Sequence, residues 1–188
     1  MKIGILGGTF NPIHLGHLIL AEEIREKLSL DKVIFVPTYI PPHKKTNDIA
    51  PATDRFAMIK MAIKPNKYFG VSDVEIKRKG ASYTIDTLRE FKKKYPRDEM
   101  YFITGSDLLN YLDAWKDLKQ VIKLVKFVVA TRPRYALSKI PSYIKTVAIR
   151  AVDVSAFEIR QCVKKRTSIR YLVPDTVFDY IKKRKLYR

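Results

Sequence analysis

The chain has 188 residues, 46% hydrophobic and 30% charged, a balance that suits one folded domain with a real core and excludes a disordered chain. A single cysteine, Cys162, excludes an internal disulfide and fits a reducing compartment. Net charge is +18 and uneven, with +5 over residues 1–80 and +13 over residues 81–188; a basic surface attracts nucleic acid, anionic membrane or phosphorylated substrates but does not specify a fold. Met1-Lys2 leads straight into an apolar run without a signal-peptide pattern, and the longest apolar candidate, residues 121–130, is broken by Lys123 and Lys126. These features predict a cytoplasmic protein with no membrane partner.

Strand and helix patterns alternate along the whole chain. Ile3-Gly4-Ile5-Leu6 reads as a buried strand and residues 18–28 as a helix. Val33-Ile34-Phe35-Val36 is a second strand, followed by a proline-stiffened loop through residue 45 that cannot be a central strand. Residues 52–63 read as a helix with Phe56, Ile59 and Ile63 on one face. Tyr68-Phe69-Gly70-Val71 is a third strand, and Val74-Glu75-Ile76 a short extra one. Ser82-Tyr83-Thr84 starts a helix through about Lys94, capped by Ser82 or Thr84. Tyr101-Phe102-Ile103 is a fourth strand, and residues 106–123 form one or two short helices carrying Trp115. Phe127-Val128-Val129-Ala130 and Thr146-Val147-Ala148-Ile149 are the fifth and sixth strands. Ser155 opens a helix through about Lys165, and Pro174 opens the last. The pattern predicts an α/β fold with a doubly wound, Rossmann-like, mostly parallel sheet. It forms one domain over residues 1–188, with the sheet core over about 1–150 and a small helical C-terminal piece over about 151–188.

Chemistry concentrates after the first strand, in Gly7-Gly8-Thr9-Phe10-Asn11-Pro12-Ile13-His14-Leu15-Gly16-His17. Gly7 and Gly8 let the backbone approach a phosphate, and the following helix N-terminus offers N–H groups and a partial positive charge to an anion. His14 and His17 are three apart, share one helical face, and can donate hydrogen bonds into charge growing on phosphate oxygens. A zinc reading of the pair lacks a third His or Cys nearby. Asn11-Pro12 also reads as an ordinary N-cap and first-turn pair.

This stretch resembles the signature of the nucleotidyltransferase superfamily with a His-x-Gly-His motif, in the form found in nicotinate-nucleotide adenylyltransferases. The resemblance continues through Pro37-x-x-x-Pro41-Pro42-His43-Lys44, then Ser72-x-x-Glu75-x-x-Arg78-x-Gly80-x-Ser82-Tyr83-Thr84, then Ile103-x-Gly105-x-Asp107, Trp115, Arg132-Pro133 and the closing Tyr171-x-Val173-Pro174. Val154-Ser155-Ala156-Phe157-Glu158-Ile159-Arg160 aligns with the family's Ile-Ser-Ser-Thr-x-Ile-Arg; Ser155 and Arg160 match, whereas Phe157 stands where the family has a threonine that donates to phosphate. The resemblance implies that Gly7, Gly8, Thr9, Phe10, His14, His17, Lys44, Gly105, Asp107, Ser155 and Arg160 bind ATP. Among them, His14, His17, Lys44 and Arg160 would hold the triphosphate during reaction. It further implies that Thr9, Ser82, Tyr83, Thr84, Trp115 and Arg132 receive the mononucleotide, with Trp115 stacking on the nicotinate ring and Arg132 taking the acceptor phosphate.

The reaction so implied moves the adenylyl group of ATP to nicotinate mononucleotide, in NAD biosynthesis, with Mg²⁺ accompanying ATP and no metal site made of protein ligands. Transfer to nicotinamide mononucleotide or to phosphopantetheine is the alternative within the same chemistry. From a different class, the charge of +18 admits a nucleic-acid-binding protein, against which the basic residues are scattered and no aromatic RNA-reading strand motif is present. The sequence admits a homo-oligomer as well as a monomer.

Overall fold

The computed structural model describes residues 1–42, 48–106, 109, 112, 115–131, 140–150 and 152–188. Six strands occur in the order β1 (Lys2–Gly8), β2 (Lys32–Pro37), β3 (Phe69–Val71), β4 (Glu99–Gly105), β5 (Lys126–Thr131) and β6 (Ile144–Ala148). The helices are α1 (Leu15–Lys27), α2 (Ala52–Ile63), α3 (Val74–Arg78), α4 (Thr84–Lys94), α5 (Leu118–Leu124), α6 (Ala156–Lys164) and α7 (Asp175–Arg184). The strands form one sheet in the spatial order β3-β2-β1-β4-β5-β6, and every pairing is parallel. The chain starts at the centre, winds outward through β2 and β3, then crosses back to β4 and winds to the other edge. Strand order reverses between β1 and β4, which opens a crevice at their carboxyl ends.

Successive side chains on a strand point to opposite faces, so each strand feeds two cores. Leu6, Phe35, Ile103 and Val128 pack with buried residues of α1, α2, α6 and α7 on one face. Ile5, Val36, Phe102 and Phe127 pack with α4 and α5 on the other. Helices on both faces explain why the strands read as continuous apolar runs rather than alternating ones. The C-terminal helices belong to the first face: buried Asp54 of α2 accepts hydrogen bonds from Tyr180 Oη at 2.8 Å and Arg184 Nε at 3.2 Å, both on α7.

Four local expectations change. Val74-Glu75-Ile76 is helical, not a strand, because Asp73 O accepts from Lys77 N–H at 2.8 Å and closes a turn there. On α2, Phe56 is only half-buried and Arg55 takes the interior position. Helix α1 begins at Leu15, three residues before the expected start at residue 18, with His14 and not Asn11 as its N-cap residue. The residue before α4 is Tyr83, with no side-chain cap, because the Ser82 hydroxyl accepts from Tyr39 N–H at 2.8 Å instead.

One acidic residue pins α1 to the chain leaving β6. Glu23 is buried and accepts from Arg150 N–H at 3.0 Å, from the Arg150 guanidinium, and from Lys27 at 3.2 Å. The guanidinium bond outweighs burial and lowers the Glu23 pKa from 4.5 to about 2. A carboxylate with a depressed folded-state pKa stabilises the fold fully above its unfolded value and loses that contribution as pH falls through the folded value. Glu23→Gln is therefore expected to cost stability at neutral pH, with the gap to wild type constant above about pH 5 and shrinking towards pH 2. Urea unfolding at fixed ionic strength measures it; a gap that stays unchanged through the acid range contradicts the assignment.

Candidate active site

The turn after β1 divides the crevice into two halves. On the α4 side lies a cavity of about 400 Å³. Its floor is Ile5, Val36 and Phe102, its upper wall Gly7, Gly8 and Thr9, and its far wall Ser82, Tyr83, Thr84 and Trp115. On the other side, the His17 ring packs on Phe10, which belongs to the core of the opposite sheet face. Thr9 sits between the two halves. The structure thus gathers Gly7, Gly8, Thr9, Ser82, Tyr83, Thr84 and Trp115 around one cavity and sets the histidines outside its lining.

His14 is the N-cap residue of α1 and is buried. Its ring lies 3.7 Å from that of His17, centroid to centroid, tilted by 32°. His14 N–H donates to His17 Nδ1 at 3.3 Å, which leaves the His17 proton on Nε2, the far side of the ring, as a donor. The packing depends on the glycine between them. A Cβ on Gly16 would stand 3.1 Å from His14 Cε1 and Nδ1, closer than ordinary contact. The helix terminus is less open than the sequence suggested, since Leu15 N–H is taken by Leu172 O and His17 N–H by His14 O, both at 3.0 Å.

Phe10 serves the turn from below. Its ring is buried against Phe35 at 5.7 Å and His17 at 5.0 Å, so of this residue only the backbone remains for a ligand. Asn11 uses both ends of its amide: Nδ2 donates to Asp48 O at 2.8 Å and Oδ1 accepts from Ala50 N–H at 2.9 Å. A carboxylate there could make only the second bond. Arg160 of α6 donates from Nη1 to Asn11 O at 2.9 Å and to Ala156 O at 3.0 Å, which fixes α6 against the turn. Ser155 caps α6: its hydroxyl accepts from Glu158 N–H at 3.1 Å and donates to Glu158 Oε2 at 3.0 Å. The Phe157 side chain is 60% exposed, its ring 5.8 Å from the Arg160 guanidinium carbon. Gly105 ends β4 with open space where a Cβ would be. Lys44, Asp107 and Arg132 lie outside the described residues.

The cavity wall holds groups that motif reading passed over. Trp115 packs edge-on to Phe102 at 5.6 Å and against Phe127 at 5.7 Å, so it is both a core residue and a cavity wall. Lys116 Nζ stands 4.7 Å from the Tyr83 ring centre at the same wall. Glu75 is buried at the cavity; burial pushes its carboxyl pKa up, against the hydrogen bond that Thr87 Oγ1 donates to Oε1 at 2.6 Å. Buried Arg55 lies behind the turn. For Lys116 the signal was adjacency to Trp115; for Arg55 it was a position four residues before Ile59, on the buried face of α2. Among the described residues, no three His, Cys, Asp or Glu side chains gather into a metal site.

Residues 5–162 match the family model described as cytidylyltransferase-like. A "Probable nicotinate-nucleotide adenylyltransferase" of Desulfitobacterium hafniense is 42% identical over 198 residues, covering 100% of this chain and 96% of that protein. One of Methylacidiphilum infernorum is 44% identical over 187 residues, covering 99% and 92%. Among solved structures, the Plasmodium falciparum nicotinic acid mononucleotide adenylyltransferase complexed with NaAD superposes with a TM-score of 0.81 at 20% identity, over 99% of this chain and 97% of that one. At that identity the likeness shows the shared fold.

The role of Gly16 gives a direct test. An alanine in a helix is ordinarily favoured over glycine by about 1 kcal/mol. Gly16→Ala is expected to forfeit that gain, because the new methyl group must displace the His14 ring. Thermal unfolding should show no rise in Tm, and the His14 ring resonances should shift in NMR spectra. A higher Tm with unmoved His14 resonances contradicts the packing argument.

Proposed function

The chain belongs to the nicotinate-nucleotide adenylyltransferases of the cytidylyltransferase-like family, and from that premise we propose that it transfers the adenylyl group of ATP to nicotinate mononucleotide. The products are nicotinate adenine dinucleotide and pyrophosphate. The observation that carries this reading is the division of the crevice: a cavity of about 400 Å³ on one side of the glycine turn and a stacked histidine pair on the other, with Thr9 between. Two nucleotides meeting at one phosphorus need such an arrangement.

In the reaction, an oxygen of the acceptor phosphate attacks the α-phosphorus of ATP, and the bond to the bridging oxygen breaks as pyrophosphate leaves. A phosphate monoester has a second pKa of about 6, so the nucleophile is largely dianionic at neutral pH and needs no general base. The protein's task is positioning and charge stabilisation. His17 offers Nε2–H to the growing charge, and the buried His14 backs it. Arg160 has donors beyond Nη1 with no partner among the described residues. Lys44 on the triphosphate, Asp107 on the ribose and Arg132 on the acceptor phosphate complete the proposal from sequence resemblance. Mg²⁺ would keep several waters and bind through the substrate phosphates, neutralising their charge. No described helix is long and apolar enough to cross a membrane; we place the activity in the cytoplasm.

Acceptor choice follows from the cavity wall. Helix α4 starts there without a side-chain cap, so its first-turn N–H groups and dipole favour an anionic carboxylate over a neutral amide. The raised pKa of Glu75 lessens repulsion of that anion. Leaving a buried donor unpaired costs about 1–3 kcal/mol, which sets the scale of discrimination.

Pyrophosphate release from ATP, measured with nicotinate and nicotinamide mononucleotides and with phosphopantetheine in turn, tests the function. Nicotinate mononucleotide should give the highest kcat/KM; turnover with none of the three defeats the reading. Trp115→Phe should weaken both pyridine nucleotides together and keep the preference, since stacking does not distinguish acid from amide. Loss of the preference in that variant alone would move selectivity from α4 to Trp115. His17→Ala should lower kcat by about 10²–10³, the value of one transition-state donor, with the fold intact by circular dichroism. A variant with near wild-type kcat removes His17 from the reaction.

A further inference from the structure

We propose that Arg55 is a positioning residue for both substrates: one buried guanidinium holds the glycine turn after β1 and the cavity loop after β2 at a fixed separation. The inference rests on the adenylyl-transfer reading. Arg55 is 1% exposed, and no carboxylate pairs with it among the described residues. All its hydrogen bonds go to main-chain carbonyls. Nε donates to Ala50 O at 2.9 Å, Nη1 to Thr9 O at 2.7 Å, and Nη2 to Thr38 O at 2.6 Å and Tyr39 O at 3.2 Å.

Three chain segments therefore converge on one rigid plane. A guanidinium is a flat fork with its donors at fixed angles, so it sets where the carbonyls stand relative to one another; an ammonium on a flexible stem does not. Burying a cation without an anionic partner is costly, and desolvation pushes the Arg55 pKa below its ordinary value. An apolar residue would fill α2's interior position without that cost. It would leave the carbonyls of Thr9 and Thr38 without this donor in a dry interior.

What the plane connects gives it a function. Thr9, on the turn that leads to the histidine pair, and Thr38 both line the cavity. From Tyr39 the linkage continues: its N–H donates to Ser82 Oγ at 2.8 Å, and Ser82 N–H donates to Ile40 O at 2.9 Å, two residues before α4 begins. Arg55 touches neither substrate in this scheme. It sets the distance from the phosphate turn to the helix terminus that receives the acceptor. In-line attack needs reacting atoms about 3–3.5 Å apart, and a 1 Å misplacement costs about 10²-fold.

The test uses Arg55→Lys and Arg55→Met in the full chain, with Ile144→Ala on edge strand β6 as a destabilised control away from the crevice. Each is assayed for pyrophosphate release at a temperature where circular dichroism shows it folded. Arg55→Met should lose about 10²-fold in kcat, with raised KM for ATP and for nicotinate mononucleotide alike. Arg55→Lys should fall between it and wild type, and Ile144→Ala should keep wild-type kcat. If Arg55→Met does not fold, Arg55→Lys decides by the same criteria. A folded Arg55 variant with kcat and both KM values within about three-fold of wild type overturns the inference. So does an effect confined to one substrate, or an equal loss in Ile144→Ala. If wild type turns over no mononucleotide, adenylyl transfer itself fails, and amide hydrogen exchange still judges the clamp. Exchange at Tyr39 and Ser82 should then be faster in Arg55→Lys than in wild type, and unchanged exchange overturns the inference.

Discussion

The reversal of strand order between β1 and β4 is the constraint on which the site depends. Chain leaving β1 must turn to one face of the sheet, and chain leaving β4 to the other. Neither covers the gap at their carboxyl ends. Because β1 is paired on both edges, Gly4 opposite Val33 and Tyr101, its end is held rigidly at the centre of the molecule. The turn from Gly7 to His14 thus starts from the best-fixed point in the sheet. Its two sides face two different cores, so the cavity with its apolar floor and the polar histidine side come from one strand's alternation.

The turn after β1 leaves carbonyls that its own backbone does not satisfy, and the structure meets that need from behind. Thr9 O is taken by Arg55 and Asn11 O by Arg160, while the Asn11 side chain fastens residues 48 and 50. Two cations and an amide thus hold from outside what a helix or sheet would hold internally. The same support lets Phe10 sit at φ 48, a left-handed conformation that costs a non-glycine residue of order 1–3 kcal/mol. Burial of its ring against Phe35 and His17 offsets that cost. The strain has a use: it lets the ring point inward beneath Gly8, where a Cβ would lie only 3.0 Å from it.

Much of the fold was legible because buried parallel strands leave a strong signal. All six appear where runs such as Val33-Ile34-Phe35-Val36 and Phe127-Val128-Val129-Ala130 place them, and α2 spans the expected residues 52–63. Val74-Glu75-Ile76 misled because three residues cannot separate a period of 2 from one of 3.6. The one at the centre, Glu75, is buried, while its two neighbours are only partly so. Phe56 misled on α2 because hydrophobicity ranks it above arginine, while the interior position belongs to the side chain with carbonyls to reach. The cavity wall at Ser82, Tyr83, Thr84 and Trp115 could be located by motif, but not the task of each group. Ser82 looked like a cap, and its partner proved to be Tyr39, distant in sequence.

The same distinction between being present and being available governs the second signature. Ser155 stands where the resemblance puts an ATP contact, yet its hydroxyl is committed in both directions to Glu158. The threonine hydroxyl of the family is replaced by Phe157, which has no hydrogen bond to give and leaves its ring exposed beside Arg160. The Phe157 ring offers no hydroxyl, and the Ser155 hydroxyl is engaged with Glu158. In the proposed reaction the donors nearby are the neutral His17 imidazole, through Nε2–H, and the Arg160 guanidinium, and hydrogen bonds from a charged donor are roughly twice as strong as neutral ones. A site can lose neutral hydroxyls and still hold a triphosphate if its cations are fixed in place. Arg160 is so fixed, by Asn11 O and Ala156 O, and the neutral His17 donor is held by stacking on His14, so the proposed chemistry rests more on the turn after β1 than on the α6 cap.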